Sequence, residues 1–136
     1  MKKTDTLEIR FKSLDDFKSE VTTALSKKKK LVQPTHLILF ESVTAFRSFM
    51  TIQKIEILTV IANREPGSIY ELAKLVDRDF AAVLRDCVSL EGTGFIRLEE
   101  KKDGRESKVP VLTFPYSKIV IYLPSSPYQI DFREVA

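Results

Sequence analysis

Three residue types are scarce in this chain of 136 residues, which has one cysteine, one histidine and four glycines. With a single thiol, Cys87, no internal disulfide can form, which fits a reducing compartment. Cys87 lies in an apolar helical pattern and is expected to be a buried structural thiol, not a nucleophile. His36 stands in an apolar strand pattern with no Cys or carboxylate cluster at ligand spacing, so no metal site is expected. The glycines form no phosphate-cradling loop, and no histidine accompanies a recognisable nucleophile. Neither enzymatic activity nor a cofactor is therefore expected. Long hydrophobic runs are also missing. Nothing reaches the roughly 18 consecutive apolar residues of a membrane span, and Met1-Lys2-Lys3-Thr4-Asp5 leads into no signal-type apolar segment. A cytoplasmic location with no membrane partner is the expectation.

What is present favours a folded chain, with 43% hydrophobic and 30% charged residues. The length suits one compact domain, or one small domain with a substantial appendage. A formal net charge of +3 permits a nucleic-acid partner without demanding one. Lys and Arg against Asp and Glu number 10 to 6 over residues 1–50, 5 to 7 over 51–94 and 7 to 6 over 95–136, so the middle third is slightly acidic.

Residues 6–12 alternate, with Leu7, Ile9 and Phe11 on one side and Glu8, Arg10 and Lys12 on the other, the period of a half-buried strand. Ser13 then caps a helix that carries Asp15 and Asp16 in its first turn and Leu14, Phe17, Val21 and Leu25 at helical spacing, ending near Lys28. The lysine run 27–30 complements the dipole of a solvated helix end and is a secondary candidate for phosphate contact. After Pro34, residues 36–40 form a short apolar run. The first 41 residues thus predict a strand-helix-strand unit with parallel strands.

From Ser42 the period becomes helical. Ser42 caps a short helix with Val43, Phe46 and Met50, and Thr51 caps the next, with Ile52, Ile55, Leu58 and Ile61 expected inward. Pro66-Gly67 forces a turn. Ser68 and Glu71 have capping-box spacing, opening a helix with Ile69, Leu72, Ala73 and Val76 inward. Asp79 caps another, with Val83, Leu84, Val88 and Leu90 inward, before Gly92 and Gly94 stop it. Residues 95–100 and 109–114 predict a hairpin with a charged tip, and residues 119–123 a further strand. Three helices followed by a hairpin is the order of a winged helix-turn-helix. The predicted class is therefore α+β, with that domain over residues 42–123, the strand-helix-strand unit over 1–41 and a tail over 124–136.

In that arrangement the helix after the Asp77-Arg78 turn presents its outer side to a major groove, while the helix before it crosses the phosphate backbone. The candidate double-stranded DNA contacts are Arg78, Ala81, Ala82 and Arg85 on the second helix. Arg85 is the first choice for a base, because a guanidinium donates two parallel hydrogen bonds to a guanine edge. Arg78 and Arg85 equally suit pairing with Asp79, Asp86 or nearby carboxylates. Lys101, Lys102, Arg105 and Lys108 on the hairpin can reach phosphates, although Asp103 and Glu106 cancel much of their field. Ser68 and Tyr70 can donate to one phosphate beside free helix amides.

The segment Glu65-Pro66-Gly67-Ser68-Ile69-Tyr70-Glu71-Leu72-Ala73, with Arg78-Asp79, Val83, Arg85-Asp86, Leu90 and Gly94-Phe95-Ile96, resembles the MarR-type winged-helix regulators. More narrowly, the chain is similar to a group of small DNA-binding proteins often found with toxin-antitoxin gene pairs. That group shares the opening Leu7-Glu8-Ile9-Arg10, a Phe40-Glu41-Ser42 segment and Pro115-Tyr116-Ser117-Lys118-Ile119. The chain departs from it at Ala81 and Ala82, where members tend to carry polar or basic residues. The resemblance implies a homodimeric transcriptional regulator, an antitoxin controlling its own operon being one form. The N-terminal unit is expected to help the chain dimerise. The alternative function is a protein-interaction module that uses the winged-helix scaffold to hold a partner such as a toxin, through that unit or through the tail, where Tyr128, Ile130 and Phe132 alternate with polar residues.

Overall fold

The computed structural model describes residues 5–26, 36–101 and 108–124. The lysine run 27–30, the hairpin residues Lys102 and Arg105 and all of the tail 124–136 beyond Pro124 lie outside the described residues. In chain order the elements are β1 (Thr6–Phe11), α1 (Leu14–Ser26), β2 (Leu37–Phe40), α2 (Val43–Phe49), α3 (Ile52–Arg64), α4 (Ile69–Val76), α5 (Phe80–Thr93), β3 (Ile96–Glu100), β4 (Lys108–Leu112) and β5 (Lys118–Ile121). They divide into two units, one of residues 1–49 with 118–136 and the other of residues 50–117. The class is α+β, a parallel sheet with helices plus an antiparallel hairpin. Among the described residues no helix is long and apolar enough to cross a membrane.

In the first unit the strand order is β2-β1-β5, and β1 pairs in parallel with both neighbours. The alternation of β1 puts Leu7 and Ile9 inside. Their register partners Ile38, Ile119 and Ile121 extend the same face. Ser13 Oγ accepts from the Asp16 amide at 3.1 Å to open α1. Leu25, expected inward, is exposed. Ser42 Oγ caps α2 by accepting from the Ala45 amide at 3.0 Å. The ring of Phe46 then meets Phe40 edge-on at 5.0 Å, and Phe49 meets Phe40 at 5.6 Å.

Two segments assigned from sequence to the helical domain belong here. The unit boundary falls after Phe49, not before Ser42, and residues from Lys118 return to the sheet. The physical reason lies in β1. A strand buried on its apolar face needs hydrogen-bond partners along both sides, and β5 supplies the second.

In the second unit, α3, α4 and α5 enclose a core of Ile57, Leu58, Ile61, Ile69, Leu72, Val76, Val83, Cys87 and Leu90. The face of α3 differs from expectation. Ile52 is 82% exposed and Ile55 is exposed too, while Lys54, Ile57, Leu58 and Ile61 turn inward. Residues 52, 55, 57, 58, 60 and 61 are apolar on every side of the helix, so the period alone does not choose a face. Lys54 lays its stem against the core and donates from Nζ to Ser89 Oγ on α5 at 3.1 Å. On α5 Val88 stays outside, while Val83, Leu90 and, as expected, Cys87 are buried. Burial pushes the Cys87 thiol up to about 12, with Asp86 adding to the effect and Arg78 opposing it.

The hairpin pairs Ile96 with Leu112 through Glu100 with Lys108. Pro110 is opposite Leu98, whose amide points away from β4 and donates to Glu91 Oε2 of α5 at 2.9 Å. Leu98 and Pro110 therefore form a non-hydrogen-bonded pair, where a proline deprives the ladder of nothing.

Candidate functional site

The two helices around the Asp77 turn are fixed by caps that the sequence specifies. Ser68, with extended backbone, accepts on Oγ from the Glu71 amide at 3.0 Å. Glu71 reciprocates one residue earlier than the capping box prescribes, accepting from the Gly67 amide at 2.8 Å. At the other end of α4, Asp77 adopts the left-handed conformation with φ 54°. The amides of Asp77 and Arg78 donate back to the Lys74 and Ala73 carbonyls at 3.2 and 3.0 Å. This is the crossed pattern of a Schellman ending, made without glycine. Asp79 then caps α5 by accepting from the Ala81 amide at 3.2 Å. Only Asp77 and Arg78 separate the end of α4 from the cap of α5, so the angle between the helices is set locally.

Arg78 and Arg85, which suit carboxylate pairing equally on sequence, separate here. Arg78 Nη1 donates to Asp86 Oδ2 at 2.8 Å, with both side chains about three-quarters covered. Its charge is spent on tying the turn to the second turn of α5. Arg85 is exposed, and among the described residues it has no ion-pair partner. It lies on an outer stripe with Ala81, Val88 and Gly92, spaced three or four residues apart. Ala82 is half-buried beside that stripe. Val88, expected inward, is 54% exposed.

Tyr70 projects from the first turn of α4 and is exposed, with the Lys74 ammonium 4.5 Å from its ring centre. Tyr70, Lys74, Asp77, Arg78 and Phe80 line a shallow groove of about 360 Å³. Lys74 and Phe80 were missed from sequence, and Asp77 was read there only as part of the turn. Lys74 is legible four residues after Tyr70, on one face of α4. Phe80 has no such signal, since it is in phase with the inward residues Val83, Cys87 and Leu90, yet at the helix start it extends past the core and is exposed.

On the hairpin, Lys108 is exposed but faces Glu100 across the ladder, and Arg97 pairs with Glu99 at 3.2 Å. Lys101 is half-buried. The described part of the hairpin therefore sets acidic residues beside its basic ones and is not a basic edge. At its base, Gly94 ends α5 in the left-handed region at φ 105°, and the amide of Phe95 donates back to the Leu90 carbonyl at 3.0 Å. The Phe95 carbonyl accepts from Tyr116 Oη at 2.9 Å. This joins the chain leaving the hairpin to the end of α5.

The chain matches the HVO_A0114 family over residues 49–121, more than half its length, and it belongs to that family. The match takes in α3 through β5, and so all the residues of the outer stripe and the groove. No curated protein matches it.

Proposed function

We propose that the protein is a sequence-specific DNA-binding transcriptional regulator of the winged helix-turn-helix kind, acting as a homodimer. The observation that carries this reading is the rigid α4–α5 pair. A Schellman ending, an immediate N-cap and the Arg78–Asp86 bridge hold α5 at a fixed angle, and its outer stripe leaves Arg85 free. A helix presented in this way can enter a major groove, with Arg85 donating to a guanine edge and the Ala81 methyl set against a thymine methyl. Ser68 and Tyr70 at the start of α4 suit a phosphate, since the Ser68 hydroxyl accepts in the cap and keeps its own proton to donate. The hairpin is the wing, and Lys101, Lys102, Arg105 and Lys108 are its candidate phosphate contacts. Arg78 is assigned to holding the turn.

The test is fluorescence anisotropy with DNA from upstream of the gene at two salt concentrations. Selective binding that Arg85→Ala weakens by about tenfold or more supports the reading, since one bidentate base contact is worth about 1–3 kcal/mol. Binding indifferent to both sequence and Arg85 overturns it.

A second reading rests on a specific observation. The outer stripe of α5 has one charge and carries the exposed Val88, and Phe80 and Tyr70 are further exposed aromatic residues. Such a surface suits a protein partner, a toxin for example, and that partner would occupy the same face of α5 as DNA.

A further inference from the structure

Among the described residues the apolar face of the three-stranded sheet is covered on one side and open on the other. On β2, Ile38 and Phe40 are 7% and 8% exposed, whereas on β5 Ile119 and Ile121 are 37% and 46% exposed. β5 is also an edge strand. Within Lys118–Ile121 it has neither a proline nor a bulge, and its protections among the described residues are its length of four residues and the charge of Lys118 at its first position.

The backbone of β5 is divided between its two sides. The Lys118 amide donates to the Asp5 carbonyl and the Tyr122 amide to the Ile9 carbonyl. Residues 118, 120 and 122 therefore turn their polar groups toward β1, and Ile119 and Ile121 turn theirs to the free edge. We propose that a second copy of this chain pairs there, β5 antiparallel to β5, about a twofold axis at Val120. In this register Ile119 faces Ile121 of the second copy as a hydrogen-bonded pair, and Val120 faces its own counterpart as a non-hydrogen-bonded pair. Lys118 faces Tyr122, whose ring already lies 3.8 Å from the Arg10 guanidinium of its own chain, whereas a parallel arrangement would set lysine against lysine. The exposed isoleucines become the centre of one apolar face that continues from Leu7 and Ile9 through both copies.

Two features favour a second copy over the chain's own residues 125–136. The connection Pro124-Ser125-Ser126-Pro127 contains neither the Asn-Gly nor the glycine that closes a tight hairpin onto β5. The edge pattern is self-complementary, which an isologous contact requires. The contact also deepens the homodimeric regulator reading, on which it rests for its purpose, although its test needs no DNA.

Sedimentation equilibrium of the full chain at micromolar concentration is expected to give a dimer. Ile121→Pro removes an outward amide and leaves the β1 pairing intact, so a monomer with an unchanged far-UV spectrum is expected. Val120→Cys sets two thiols opposite each other at a spacing a disulfide can bridge, and mild oxidation is expected to link two chains. A native monomer overturns the proposal and leaves the edge to residues 125–136. A dimer that survives Ile121→Pro, or one that Val120→Cys does not link, places the contact elsewhere and also overturns it. Arg85→Ala separates this from the DNA reading, because it is expected to lose DNA selectivity and remain dimeric.

Discussion

The two units solve the same problem differently. The unit of residues 50–117 closes its core on itself, with Ile57, Leu72, Val83, Cys87, Leu90 and Phe95 all fully buried. The unit of residues 1–49 and 118–136 buries Leu7 and Ile9 on its central strand but leaves the same apolar face open at β5. A closed core fixes the geometry of one surface, here the outer stripe of α5. An open sheet edge leaves both hydrogen bonds and apolar area to be completed. Stability and association should therefore respond to different residues.

Phe95→Ala should break this contrast most severely. It empties a fully buried ring site next to Leu90 and Ile96, and a loss of about 3–5 kcal/mol is expected in urea denaturation followed by far-UV circular dichroism. Ile121→Ala on the open edge should cost no more than about 0.5 kcal/mol at low protein concentration. A larger cost that appears only at high concentration would measure association, by mass action. Equal losses from the two substitutions would end the distinction between closed core and open edge.

Alkaline pH should also act on the closed unit. Burial raises both the Cys87 thiol and the Tyr116 phenol. Below pH 9.0, the ordinary thiol value, Cys87 is protonated in folded and unfolded chains alike, so it adds no pH dependence. Above it the unfolded thiol ionises while the buried one keeps its proton. Stability should then fall progressively as the pH rises toward about 12. Melting temperatures recorded between pH 8 and pH 11 check this, and a Cys87→Ala chain with the same alkaline slope would remove the thiol as a cause.

Tyr116→Phe tests the junction between hairpin and α5. The Phe95 carbonyl keeps weaker contacts at 3.4 Å from the Thr113 amide and hydroxyl when the phenol is removed. The expected loss is therefore modest, about 1 kcal/mol by denaturation. A loss as large as that of Phe95→Ala would mean that the tyrosine, and not the ring of Phe95, holds the hairpin base.

Much of this was legible locally. The strand period of residues 6–12, the caps Ser13, Ser42, Thr51, Ser68 and Asp79, and the inward face of α4 all follow from short-range rules, and the structure agrees with each. Tertiary choices were less visible. Nothing near β5 states that it joins β1 across more than 100 residues, because an apolar strand fits any sheet with an open side. The face of α3 was ambiguous because its isoleucines surround the helix. In the candidate site, Arg85 was legible as the first choice for a base, but which arginine pairs with a carboxylate is decided by the position of Asp86, a contact that depends on the angle set at Asp77.

That angle supports the smallest prediction and the most specific one. Asp77 occupies the left-handed region at φ 54° and ψ 52°, where any residue with a Cβ is strained and aspartate is among the better tolerated. Asp77→Gly keeps both Schellman hydrogen bonds, which are made by the backbone, and relieves the strain. It should stabilise the chain by about 0.5 kcal/mol, after the greater freedom that glycine gives the unfolded state is offset. The same substitution leaves Arg78, Asp86 and the outer stripe of α5 untouched, so DNA selectivity should persist. Stabilisation accompanied by lost selectivity would show that the carboxylate at Asp77 acts in the site itself, as part of the groove with Tyr70 and Lys74, and not only as the hinge between two helices.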